Sequence, residues 1–167
     1  MAGMIRIAAI DNDPMVLLGQ RALIDPVPDL ELVLTCGNVA DYVAAGVPAD
    51  VVLLDLMLGD DSLPEVNVAA LCATGTRVLV LSVHGDRQHV RATIRAGASG
   101  YLIKGGDRSA LADAIRTVHA GEQALTQELA FIISLEPPRL SQRELEVLSL
   151  YGTGSTLEAT ARRLKIS

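Results

Sequence analysis

Two aliphatic runs set the limits on what this chain can fold into. Val51-Val52-Leu53-Leu54 ends at Asp55, and Val78-Leu79-Val80-Leu81 ends at Ser82. Four aliphatic residues without a polar face are too short for a helix and read as a strand covered on both sides of a parallel sheet. In an open α/β sheet, ligands bind in the crevice outside the carboxyl ends of the strands. The polar residue that closes each run is therefore a candidate for chemistry. For Asp55 the plain alternative is that it only caps the following loop.

The rest of the chain repeats this unit. Met4 to Ile10 reads as a first strand ending at Asp11-Asn12-Asp13-Pro14, with Pro14 in the first turn of a helix to about Ile24. Leu30 to Cys36 is a second strand, and Asn38 with Asp41 starts a helix that Gly46-Val47-Pro48 ends. After the loop Leu56 to Asp61, Ser62-Leu63-Pro64-Glu65 has the spacing of a capping box. Arg77 to Ser82 is a fourth strand, followed by a helix from about Asp86 to Ala96 with Val90 and Ile94 on one face. Ala98 to Ile103 is a short fifth strand ending at Lys104-Gly105-Gly106. Asp107 caps a fifth helix whose stripe Leu111, Ala114, Ile115, Val118 stops at Gly121.

Five strands alternating with five helices predict an α/β fold, a doubly wound five-stranded parallel sheet with right-handed crossovers, over residues 1–121. Residues 122–138 read as a linker, with a short helix from Thr126 to Ser134 and a stiff break at Glu136-Pro137-Pro138. Residues 139–167 read as a helical piece. Ser141-Gln142-Arg143-Glu144 and Ser155 with Glu158 open two helices on either side of Gly152-Thr153-Gly154.

Composition agrees with this plan. Half the residues are apolar, and the core must be aliphatic because Tyr42, Tyr101, Phe131 and Tyr151 are the only aromatics. No run approaches the roughly 18 apolar residues of a membrane span, and no signal-peptide pattern opens the chain, so a soluble cytoplasmic protein with no membrane partner is expected. Cys36 and Cys72 lack CxxC spacing and read as small buried residues in a reducing compartment. The charge is uneven: residues 1–138 carry 9 Lys/Arg against 17 Asp/Glu, and residues 139–167 carry 5 against 3. An acidic body argues against nucleic-acid binding there and leaves it open for the tail. His84, His89 and His119 have no metal-ligand spacing and read as surface residues.

The proposed strand ends place Asp11 (with Asn12 and Asp13), Asp55, Ser82 and Lys104 on one edge. Clustered carboxylates call for a cation, and Mg²⁺ is the natural one for oxygen ligands. A lysine and a hydroxyl beside them suit a phosphoryl group. Together these groups describe phosphoryl transfer to an aspartate.

Asp11-Asn12-Asp13-Pro14, Val51 to Asp55, Val78 to Ser82 and Ala96-Gly97-Ala98-Ser99-Gly100-Tyr101-Leu102-Ile103-Lys104 resemble the receiver domain of bacterial response regulators. The tail Leu140-Ser141-Gln142-Arg143-Glu144-Leu145-Glu146-Val147-Leu148 is similar to the start of the helix-turn-helix output domain of the NarL/FixJ class. The resemblance implies a flavodoxin-like receiver with a partial all-α helix-turn-helix tail, acting as a transcriptional regulator rather than an enzyme. Asp55 would be the phosphoacceptor, with a sensor histidine kinase as donor. Asp11, Asp55 and the Met57 backbone carbonyl would hold Mg²⁺. Ser82 and Tyr101 would be the switch pair, and Lys104 would pair with the phosphoryl oxygen. Phosphorylation would then control homodimerisation and DNA binding. Ser167 falls where the recognition helix would be capped, so DNA binding is expected of a full-length parent and not of this chain.

Two departures bear on the metal. Asn12 stands where the family has its second acidic residue, which should weaken Mg²⁺, and Asp13 is the available substitute. The loop Leu58-Gly59-Asp60-Asp61-Ser62-Leu63 lacks the family's Pro-Gly pattern. An atypical receiver working without Mg²⁺-dependent phosphorylation is the first alternative. A haloacid-dehalogenase-like phosphatase using Asp11-Asn12-Asp13 is the second, although Asp55 would then have no task. A pure interaction module is the third.

Overall fold

The chain divides into two compact units between Ser134 and Leu135, and the computed structural model describes residues 3–134. The helices expected beyond Pro138, and with them the output-domain reading of the tail, lie outside the described residues. Within them the order is β1 (Ile5–Ile10), α1 (Pro14–Ile24), β2 (Leu30–Cys36), α2 (Val39–Ala45), β3 (Val51–Asp55), α3 (Pro64–Ala73), β4 (Arg77–Ser82), α4 (Arg87–Arg95), β5 (Gly100–Ile103), α5 (Arg108–His119) and α6 (Gln127–Ser134).

The strands form one sheet in the order β2-β1-β3-β4-β5, and all neighbours are parallel. The two-sided reading of the aliphatic runs holds, because every residue of β3 is buried. Val51 and Leu53 face a core that includes Ile24 of α1 and Leu111, Ile115 and Val118 of α5. Val52 and Leu54 face the opposite core, with Tyr42, Val68, Leu71 and Val90 from α2, α3 and α4. Burying each such side chain stabilises the fold by about 1.5–3 kcal/mol, so β3 draws on both layers at once.

Strand order reverses direction at β1, where the chain goes out to β2 and returns to β3 on the other side. That reversal opens the crevice at the carboxyl ends of β1 and β3. Register completes the placement: Ile10 pairs with Leu54, so the next residues, Asp11 and Asp55, emerge side by side.

Local signals hold at most helix starts. Asp13, Asn38 and Asp107 accept from Met15 N, Asp41 N and Ala110 N as N-caps of α1, α2 and α5. The capping box expected at Ser62 and Glu65 does not form. Helix α3 begins at Pro64 with Leu63 at the N-cap and no side-chain cap. Ser62 sits one residue too early, and its hydroxyl is taken by Asp60 and Asn67 instead. Cys36 is buried as expected, whereas Cys72 is only half-buried, with its thiol 3.4 Å from the Gly97 carbonyl.

The helix expected in the connector is present as α6, and it packs against α4 with Leu129 buried beside Val90 and Tyr101. The chain leading to it docks on β5: Tyr101 N donates to Ala124 O (2.9 Å) and Ala124 N to Ser99 O (3.0 Å). Gly100 makes room for this contact. A Cβ there would lie 2.8 Å from Ala124 O and 2.9 Å from Leu79 Cδ1. Residues 124–134 are thus part of the packed sheet unit.

Candidate functional site

At the crevice, Asp11 is 2 % exposed and Asp55 is also buried. Lys104 Nζ donates to Asp11 Oδ2 at 2.7 Å and to Asp55 Oδ1 at 2.5 Å. The other oxygen of each carboxylate is fixed by backbone. Asp13 N donates to Asp11 Oδ1 (2.9 Å), and Met57 N donates to Asp55 Oδ2 (3.0 Å). Burial opposes the charge on Lys104, but its hydrogen bonds to Asp11 and Asp55 more than reverse that, holding its pKa above the ordinary lysine value. Two carboxylates and one ammonium formally leave the cluster one negative charge, which a further cation can meet.

Sequence-predicted residues separate into those that join this cluster and those that do not. Asp13 is turned away, since its carboxylate caps α1 through Met15 N at 2.8 Å. Asn12 is exposed, and its Nδ2 lies 3.0 Å from where a Cβ on Gly59 would be. Gly59 itself has φ +70°, a backbone conformation that favours glycine. The Met57 side chain is exposed, leaving its backbone as the part of the residue at the site.

The β3–α3 loop that lacks Pro-Gly is held by another device. Asn67 Nδ2 donates to Ser62 Oγ (2.6 Å), Ser62 Oγ donates to Asp60 Oδ1, and Ser62 N donates to the same oxygen (3.1 Å). Asp61 takes a left-handed φ of +60° between them. Those hydrogen bonds hold Asp60 below the usual carboxylate range. No sequence signal beyond the polar composition of the loop announces the role of Asn67.

Ser82 and Tyr101 meet at a different acceptor. Ser82 Oγ donates to the His84 carbonyl at 2.8 Å, and the Tyr101 hydroxyl donates to the same carbonyl at 2.9 Å. Tyr101 is 1 % exposed and points inward; burial raises its pKa. Lys104 N donates to Ser82 O (2.7 Å), so the backbone joins this pair to the charged cluster. The shared acceptor is a backbone carbonyl, which explains why the side-chain sequence gave no sign of it.

This fold, with acids at the β1–β3 crevice and a lysine following β5, defines the receiver domain of a response regulator. No family model matches the chain. It is 30 % identical to the transcriptional regulatory protein LiaR of Bacillus subtilis, covering 98 % of this chain and 84 % of that protein. It is also 30 % identical to the nitrate/nitrite response regulator NarL of Escherichia coli, covering 96 % and 81 %. Among solved structures it is similar to the response regulator ChrA of a heme-sensing two-component system (30 % identity, TM-score 0.66, 99 % and 83 % covered). RcsB of Salmonella typhimurium shares the fold at 20 % identity and TM-score 0.85, with 98 % and 85 % covered. The chain belongs to the NarL/FixJ-type response regulators, the transcription regulators of two-component systems. The phosphatase alternative finds no support: Asp13 is spent as a helix cap and Asp55 lies at the centre of the charged cluster.

Among the described residues no helix is long and apolar enough to cross a membrane.

Proposed function

We propose that Asp55 is the phosphoacceptor of a cytoplasmic two-component regulator and that a sensor histidine kinase is its donor. The observation that supports this most is the Lys104 bridge, which joins Asp11 and Asp55 across the crevice. In the transfer, an Asp55 carboxylate oxygen bonds to phosphorus as the bond from phosphorus to the donor histidine nitrogen breaks. Lys104 would follow the phosphoryl oxygens as a point charge. Met57 N would keep Asp55 Oδ2 turned, and Oδ1 would become the attacking atom as Lys104 leaves it for the phosphoryl oxygens.

The donor set fits Mg²⁺, a hard cation that takes one or two carboxylates and retains waters. Asp11, Asp55 and the Met57 carbonyl would hold it, and when bound it supplies positive charge for the phosphoryl oxygens. With Asp13 capping α1 and Asn12 neutral, two carboxylates remain, so the affinity should be low. Among the described residues no group of three or more His, Cys, Asp or Glu side chains gathers as a metal site.

After transfer, Ser82 would leave the His84 carbonyl for the phosphoryl group, and the Tyr101 hydroxyl would hold that carbonyl alone. Both changes fall beside α4 and α6, whose faces would carry them toward homodimerisation and DNA binding by the output domain. RcsB has been solved as dimers on DNA, which supports that output. The chain acts here as the substrate of phosphotransfer rather than as an enzyme.

Intact-mass measurement after incubation with acetyl phosphate and Mg²⁺ tests the proposal. A gain of one phosphoryl group that disappears in Asp55→Asn is the expected result. Unchanged mass at millimolar Mg²⁺, or a gain that survives Asp55→Asn, overturns it.

A further inference from the structure

On the α1–α5 side of the sheet, a cavity of about 270 Å³ lies between α1, β5 and α5. Its wall includes Gly19, Gln20 and Leu23 of α1, Leu102 of β5, Leu111 of α5 and the turn Lys104 to Gly106. Apolar side chains dominate the lining.

Two residues of α1 are hard to explain by folding alone. Gln20 is 6 % exposed, and its Oε1 has no hydrogen-bond partner. A buried carboxamide oxygen without a donor is destabilising, and native proteins rarely leave one. Gly19 stands in the middle of an 11-residue helix, where glycine is worse than alanine. Neither its backbone nor its surroundings demand it, because a Cβ there would meet nothing within 4 Å. The missing side chain keeps the cavity open beside an unsatisfied amide.

We infer that this cavity is a binding site for a small neutral molecule with an apolar body of benzene to indole size and one hydrogen-bonding group. The volume exceeds the roughly 150 Å³ of an engineered apolar cavity that holds benzene. Charge is disfavoured because the ionic groups at the rim are already committed. Lys104 is bonded to Asp11 and Asp55, and Asp107 Oδ1 to Ala110 N and Ser109 Oγ. An apolar wall offers an ion no replacement for its water. The ligand's polar group pairs with the Gln20 carboxamide, which presents oxygen or nitrogen by a half-turn about its last torsion. One wall is the turn carrying Lys104, so an occupant braces the lysine that links Asp11 and Asp55. Binding itself does not rest on the phosphotransfer reading and is measured without it.

Amide NMR titration of the full chain with indole, toluene and benzoate tests the site. Indole and toluene should give saturable shifts at Gly19, Leu102, Gly105 and Leu111, and benzoate none. Gln20→Leu should weaken indole roughly fivefold, the worth of one hydrogen bond, while leaving toluene unchanged. Gly19→Leu, which fills the open space without touching the core, should abolish both with a melting temperature equal to or above that of the parent. Absence of saturation, or binding that survives Gly19→Leu, overturns the site. Equal effects of Gln20→Leu on both probes overturn the polar anchor. Shifts at these amides that follow protein concentration without any probe would assign the cavity to a second copy of the chain and overturn the ligand.

Discussion

The two halves of the sheet's carboxyl edge are held by different forces. At β1 and β3, two buried acids face each other and one lysine keeps them together, so the geometry rests on charge. At β4 and β5, Ser82 and Tyr101 share one neutral carbonyl, and the enclosure around them comes from Leu129 and Val90. The charged half is stable only while its counter-ion stays in place, which suits a site meant to receive another charged group. The neutral half has two donors competing for one acceptor, an arrangement that can exchange partners at small expense. Under the proposed phosphotransfer, chemistry and response would occupy neighbouring strand ends with different sensitivities.

The largest expected break in this contrast is Lys104→Met. It leaves Asp11 and Asp55 together without a counter-charge and should lower stability by about 3 kcal/mol in urea unfolding, the low end for a pair whose lysine is partly exposed. Asp55→Asn should show no comparable loss, because Lys104 keeps Asp11. Greater destabilisation by Asp55→Asn would refute the electrostatic account. Since the fold raises the Lys104 pKa, the native state holds that proton more tightly than the unfolded chain. Its stabilisation is therefore complete below the ordinary value of 10.5 and lost as pH climbs through the higher folded value. Tyr101, raised by burial, adds a fall in the same direction above its ordinary value of 10.0. Unfolding curves of Tyr101→Phe between pH 8 and 12 isolate the lysine part.

Next in size is Leu129→Ala, which removes packing from the neutral half and should cost about 2–3 kcal/mol. It should raise hydrogen exchange at Tyr101 more than at Asp11, and uniform changes across the edge would erase the distinction drawn here. Smaller again are Tyr101→Phe and Ser82→Ala, each about 1 kcal/mol or less, because the remaining hydroxyl still serves His84. The double variant should lose more than the two single losses combined, and simple additivity would show that the carbonyl is not shared. Smallest is Asp61→Gly, which relieves a left-handed φ and should gain about 0.5 kcal/mol in the β3–α3 loop.

Much of this was readable from the residues. The two-sided runs located β3 and β4, and the polar residues closing them located the edge, because hydrophobic pattern and topology act through whole segments. Asp11, Asp55 and Lys104 fall together on the strand-end pattern alone. Their meeting follows from parallel register once the strand ends are known. What stayed hidden depends on single backbone atoms or on packing between distant segments. The His84 carbonyl carries no side-chain signature. Asn67 holds its loop through Ser62, a hydroxyl that spacing alone assigned to a helix cap. The docking of α6 depends on space at Gly100, which only the β5 neighbourhood reveals.

That last contact has a consequence for how such regulators exchange parts. Since Ala124 extends the β5 edge and Leu129 fills the core beside Tyr101, a recombination point placed just after Gly121 would strip the sheet of a flank and leave an open hydrogen-bonding rim. A splice that keeps this sheet unit whole falls beyond Ser134, with the sixth helix on the sheet's side of the join.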